Sequence, residues 1–284
     1  YYSILSAKRL SLNSPFLAND IYLKSFHGKG RALASALRVD PSWLKRIHIW
    51  GSLNSYHFIK KEIQEKSLVT NYDEHILAAA KVLSNNGDYL DSFRVVITGL
   101  NNGQLPFSTN VLEILYPTPY FHQIKEEISK DFDPVIALSL IRQESGFDRR
   151  ARSRVGARGL MQLMPATARR FKRRLKTRHL YNPSTNISIG TQYFNKLLSR
   201  YDNNLVYSLA AYNAGEHRVD RWQNDFLNND SILQDIENIP FRETRKYVKL
   251  IFRNIFFYKM LLKKDGTDKH KYNQIFDLHL GFNR

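Results

Sequence analysis

Apolar residues along the 284-residue chain return every three to four positions. Two-residue alternation is weak throughout, so the pattern predicts an all-α protein. Ile4, Leu5, Ala7 and Leu10 predict a first helix over residues 1–12, and Gly28-Lys29-Gly30 breaks the chain after it. Ala32, Leu33, Ala36 and Leu37 form the next stripe, stopped by Asp40-Pro41. Trp43, Leu44, Ile47 and Trp50 follow at i, i+1, i+4 and i+7. Phe58, Ile59 and Ile63 continue, then Ile76, Ala79, Ala80 and Leu83 run up to Asn85-Asn86-Gly87. Tyr89, Leu90, Phe93, Val96 and Ile97 predict a helix ended by Gly99. Short helices between Gly or Asn turns suggest a helical array, without an exact repeat period. Two prolines in Tyr116-Pro117-Thr118-Pro119-Tyr120 mark the best domain boundary, because Pro disfavours helix in the residue before it.

Beyond that boundary, Ile124 and Ile128 predict a lead-in helix over residues 121–132 with both isoleucines inward. Asp133 can cap the next helix and Pro134 suits its first turn. Val135, Ile136, Ala137, Leu138, Leu140 and Ile141 are apolar almost all round, as in a buried helix. It should stop near Ser145-Gly146, where Gly can take a left-handed conformation. Pro165 opens a helix over residues 166–175. Asn186 is expected to cap a helix holding Ile187, Gly190, Phe194, Leu197, Leu198 and Tyr201. Asn204 caps another, ending at Asn213-Ala214-Gly215. A long last helix covers residues 243–263, with Tyr247, Val248, Ile251, Ile255, Phe256 and Leu261 along it. Residues 265–284 form a polar, then aromatic, tail with no assigned role.

Composition sets the partners. The net charge is +17, which implies an anionic partner: nucleic acid, anionic lipid or an acidic polymer. The charge is uneven. From Arg142 to Arg178 thirteen Lys and Arg face only Glu144 and Asp148, a local excess of +11. There are no cysteines, so no disulfides and no thiolate metal site, and the nine histidines show no ligand spacing. No metal and no cofactor are expected. No run approaches the ~20 apolar residues of a membrane span. The chain starts at Tyr1 without a leader, which reads as a processed or partial chain. Nothing in the sequence signals oligomerisation, and a monomer is the expectation.

The chemistry centres on Glu144. It falls in the last turn of the buried helix, at the negative end of the dipole. Dipole and burial both raise a carboxyl pKa, and a Glu protonated near neutral pH suits general acid catalysis. Basic neighbours would oppose the shift if close enough, and the bland alternative is an ion pair with Arg142. Asp148, beyond the glycine break, reads as a surface residue.

Four blocks then stand in order: Glu144-Ser145-Gly146-Phe147 with Ser153; Gly156 through Ala168, reading GARGLMQLMPATA; Ala210 through Gly215, reading AAYNAG; and Ile239-Pro240-Phe241 with Glu243-Thr244-Arg245. Together they resemble the catalytic domain of the soluble lytic transglycosylases, lysozyme-like enzymes that cleave peptidoglycan. The resemblance implies a lysozyme-like catalytic domain over residues 118–264. Before it, residues 1–117 look like the linker or superhelical region of the long family members. By resemblance Glu144 is the catalytic acid and then base, cleaving the β-1,4 bond between N-acetylmuramic acid and N-acetylglucosamine. The muramyl C6 hydroxyl closes onto C1, giving a 1,6-anhydro product without water. This removes the need for the second carboxyl that glycosidases normally use. Ser153 matches a Ser near the muramyl acetamido group, and Met161 and Gln162 match the groove wall and a polar contact. Tyr212 and Asn213 match the site's Tyr-Asn, and Glu237 matches a second acidic contact that could equally be a salt bridge. Glu243 is expected to pair with Arg245 or cap the last helix. Arg149, Arg154 and Glu216-His217 depart from common family residues, in loops. The implied partner is the peptidoglycan glycan strand, in the periplasm or bacterial cell envelope. Three alternatives stay open: a weakly active binding or scaffold module, a goose-type lysozyme-like hydrolase, and a nucleic-acid-binding array. The last lacks any recognisable nucleic-acid motif.

Overall fold

The computed structural model describes residues 39–66, 72–130, 132–227 and 231–262. The expected helix over residues 1–12, the Ala32–Leu37 stripe and the tail 265–284 lie outside the described residues. The chain divides between Pro117 and Thr118 into two compact units. Among the described residues there are thirteen α-helices and no strands.

The first unit holds α1 (Pro41–Ser52), α2 (Tyr56–Glu65), α3 (Tyr72–Asn85), α4 (Tyr89–Asn101) and α5 (Thr109–Leu115). Asp40 caps α1 by accepting from the Ser42 amide at 2.9 Å, with Pro41 in the first turn. Trp43 and Ile47, one turn apart, are fully buried. The Trp43 indole donates to the Glu62 carbonyl and its ring meets His75 edge-on. Alanines 78–80 let α3 and α4 approach closely, and the buried Ser92 hydroxyl bonds to the Ala80 carbonyl at 2.7 Å. Gly99, expected to end α4, lies inside it. Its role is closeness: a Cβ there would sit 3.1 Å from Ile76 Cδ1. The unforeseen α5 begins at Ser108, whose hydroxyl accepts from the Val111 amide.

The second unit is built on α7 (Pro134–Ser145), eight of whose twelve residues are buried. Each buried Leu, Ile or Val there contributes about 1.5–3 kcal/mol. Asp133 caps α7 through the Val135 amide at 2.8 Å, and Gly146 ends it with φ +56°. The last helix, α13 (Arg242–Leu262), packs along α7 in the opposite sense. Tyr247 reaches Glu144, Asn254 reaches Ser139 and Arg142, and Lys259 reaches Asp133 at 3.4 Å. α6 (Phe121–Glu127), α8 (Pro165–Phe171), α9 (Pro183–Arg200), α10 (Leu205–Ala214), α11 (Glu216–Asp225) and α12 (Ile232–Asn238) complete the unit.

In the second unit three boundaries differ from expectation. α6 stops at Glu127, so Ile124 is buried while Ile128 is extended and half-buried. α8 stops at Phe171; continuing would stack Arg169 on Arg173 and Arg170 on Arg174, like charges one turn apart. α9 starts at Pro183 with Asn182 as its cap, not Asn186, because the Asn182 carboxamide oxygen accepts from the Thr185 amide. α11 and α12 escaped the hydrophobic pattern because each buries only two side chains.

Candidate active site

Glu144 lies in the last turn of α7, beyond which Gly146 and Phe147 both take positive φ and turn the chain away. Phe147 is nonetheless buried, so packing holds a conformation that a bulky residue otherwise avoids. The Glu144 carboxyl accepts from the Tyr247 hydroxyl at 2.5 Å. Burial pushes its pKa up to about 7, against which the Tyr247 hydrogen bond pulls down. Glu144 forms no ion pair among the described residues. Arg142 instead donates to the Asn254 side-chain oxygen at 3.2 Å. Burial, not the basic run, governs this carboxyl.

Tyr212 and Tyr247 share the pocket. Burial, then the charge of Glu144, raises both phenols well above their ordinary value. The Tyr212 hydroxyl donates to the Met161 carbonyl at 2.7 Å, so Tyr247, not Tyr212, orients the carboxyl. The Tyr212 ring lies against Tyr193 and Phe194.

A loop layer from Ala151 to Leu163 faces this pocket through the Met161 carbonyl. The Arg158 and Leu163 backbones pair, and the Gly159 amide bonds to the Ala151 carbonyl. Gly159 has φ +74°, and a Cβ there would sit 2.1 Å from the Leu180 carbonyl oxygen. Asn186 clamps the layer from α9. Its oxygen accepts from the Met161 amide at 2.7 Å, and its nitrogen donates to the Arg158 and Leu180 carbonyls. Met161 itself is fully buried on Gly190, where a Cβ would sit 2.3 Å from its sulfur. It thus presents backbone, not side chain, at the pocket. Gln162, with φ +45°, donates to the Ala151 and Gly159 carbonyls. The Ser153 hydroxyl oxygen accepts from the Ala157 amide at 3.0 Å, which leaves its O–H free to donate.

The exposed Asn213 accepts from the buried Thr244 hydroxyl at 2.7 Å. Glu237 is paired with Lys249 at 2.6 Å, the salt bridge that was one of its two expected roles. Arg245 donates to the Glu237 carbonyl rather than to Glu243. Asp148 is exposed and bonds to the Arg150 amide. Two contributors escaped the sequence reading: Tyr247, taken only as an inward position of the last helix, and Asn186, taken as a cap. Asn186 stands in the first turn of α9, after Ser184 and Thr185, where an Asn reads as a cap, so the residue type alone did not mark it as a bridge. Among the described residues no group of three His, Cys, Asp or Glu side chains is placed to hold a metal.

A half-buried carboxyl near neutral pKa, a phenol on it and a glycine-hinged loop opposite form a site that can give and take one proton. Residues 122–233 match the transglycosylase SLT domain family. The soluble lytic murein transglycosylase of Escherichia coli is 35% identical over 163 residues, covering 55% of this chain and 25% of that protein. The crystal structure of the 70 kDa soluble lytic transglycosylase from E. coli superposes with a TM-score of 0.64 at 27% identity, over 87% of this chain and 40% of that one. An inactive Glu-to-Gln mutant of a lytic transglycosylase from Pseudomonas aeruginosa superposes with a TM-score of 0.62 at 27% identity, over 90% and 45%. The chain therefore spans about a quarter of the length of the curated relative. Glu144, Ser153, Met161, Gln162, Tyr212 and Asn213 fall inside the SLT domain match, whereas Glu237, Thr244 and Tyr247 lie beyond its end.

Proposed function

We propose that this chain is a peptidoglycan lytic transglycosylase in which Glu144 acts first as acid and then as base. The observation that carries this reading is the Glu144 carboxyl, raised to about 7 and held by Tyr247 inside the matched domain. Protonated, it gives its proton to the leaving glycosidic oxygen; as carboxylate, it accepts the proton of the muramyl C6 hydroxyl as that oxygen closes onto C1. The proton returns to Glu144, so the cycle needs no water and no cofactor. Ser153 keeps a donor for the acetamido carbonyl. Tyr212 and Asn186 fix the Met161 backbone, Asn213 supplies an amide at the groove, and the Gln162 nitrogen braces the loop through the Ala151 and Gly159 carbonyls, leaving its oxygen for substrate. The substrate is the glycan strand, and the site of action the periplasm or cell envelope. Among the described residues no helix is long and apolar enough to cross a membrane.

Digestion of purified peptidoglycan followed by mass measurement tests the reading. Muropeptides lighter by one water, with anhydro ends, are expected; reducing ends would make the chain a hydrolase. Glu144→Gln is expected to fold normally and lose activity by about a thousandfold or more, the scale of general acid–base catalysis combined with loss of the proton carrier. Wild-type turnover in that variant would overturn the assignment.

A further inference from the structure

The unit of residues 2–117 contains a cavity of about 240 Å³ between α2, α3 and the end of α4. Its floor is apolar and buried: Ile63, Ile76, Val95 and Gly99. Its rim is the opposite. Tyr56 and Tyr72 stand half-buried on one side, and Lys60, Gln64, Thr98, Asn102 and Gln104 are exposed around the mouth. Among the described residues none that lines it is acidic.

We propose that this cavity is a carbohydrate subsite for an N-acetylated amino sugar that bears a carboxylate. That substrate class rests on the function proposed above, but the site is separate from Glu144. A pyranose has apolar C–H faces and an equator of hydroxyls, the complement of an apolar floor with a hydrogen-bonding rim. The tyrosines offer ring surface and a hydroxyl each. Carboxamides both donate and accept, which matches hydroxyl and acetamido groups. Here the Asn102 nitrogen donates to the Gln104 oxygen at 3.3 Å, so each holds the other while both side chains stay exposed. Lys60 is the lone charge among the described lining residues, and it selects a ligand with one carboxylate, such as a lactyl ether, over a neutral sugar. Gly99 closes the floor, because α4 lies so near Ile76 there that a Cβ would sit 3.1 Å from its Cδ1.

The test uses the full chain carrying Glu144→Gln, isotope-labelled for amide NMR. It is titrated with an N-acetylglucosamine tetramer and with the alternating N-acetylglucosamine–N-acetylmuramic acid tetrasaccharide. The amides of Lys60, Thr98 and Asn102 are expected to shift with both, and more tightly with the muramyl ligand. Lys60→Met is expected to bring the two affinities together. Asn102→Ala combined with Gln104→Ala is expected to weaken both about tenfold, as for loss of hydrogen bonds at a rim. All these residues are exposed, so folding is not at stake. Shifts confined to residues 118–262, or affinities that these variants leave unchanged, would overturn the proposal. The readout needs no turnover. A chain that leaves peptidoglycan uncut can still fill this cavity, and one that cuts can leave it empty.

Discussion

Replacing Glu144 by Gln removes a charge that its pocket solvates poorly. The folded carboxyl keeps its proton up to about pH 7, whereas an ordinary Glu releases it near 4.5. Between those values the native state holds more protons than the unfolded one, so stability falls as pH rises through this window. The full loss is about 3 kcal/mol. The Glu144→Gln variant would escape it, and its new amide oxygen would still accept from Tyr247. Melting temperatures at pH 5 and pH 8 should therefore show the variant gaining on the native chain at the higher pH; an equal gap at both would mean an ordinary carboxyl. Activity follows the same proton. The proposed reaction starts from the acid form, so kcat/KM is expected to fall above about pH 7. Tyr247→Phe deletes the hydrogen bond that favours the carboxylate, so its descending limb should move to higher pH. A limb that stays put would show that Tyr247 does not tune the acid.

At the scale of elements, one Asn side chain supports the loop opposite the acid. Asn186→Ala leaves the buried Met161 amide and two carbonyls without their partner. The expected cost is about 2–4 kcal/mol in urea unfolding, from several orphaned groups whose individual penalty is about 1–3 kcal/mol. Asn186→Gln keeps the carboxamide but is one methylene too long for the clamp, so it should not restore stability. This is also where sequence reading was weakest. The long apolar helix α7, its Asp133 cap, its Gly146 stop and the final helix were legible because each combines strong periodicity with an end residue of known chemistry. Asn186 was not, since a capping residue and a buried bridging residue look alike in one dimension. Tyr247 was read as a core position. Its hydroxyl finds Glu144 only because α7 and α13 run antiparallel, and that register belongs to tertiary packing. The short, polar α11 and α12 bury too little to register as a pattern.

The whole molecule carries +17, with the densest run, residues 149–178, flanking the Glu144 helix in sequence. Most of those side chains are exposed, and Arg170 is paired with Glu216. Field effects of this kind act on encounter, not on the chemical step. Raising ionic strength well above about 0.1 M, where the Debye length is about 10 Å, is expected to lower kcat/KM on anionic peptidoglycan and leave kcat unchanged. A parallel fall in kcat would show that the cations act at the bond-breaking step. The second unit also has a temporal order. α13 is made after every other described element, and it lays cover and a hydroxyl on Glu144 from a segment past the family match. Glu144 thus takes its hydrogen-bond partner from a residue 103 positions further along the chain. The family match, which stops at residue 233, therefore leaves out the hydroxyl that meets the carboxyl: a piece of this chain cut at that border would keep Glu144 and lose Tyr247.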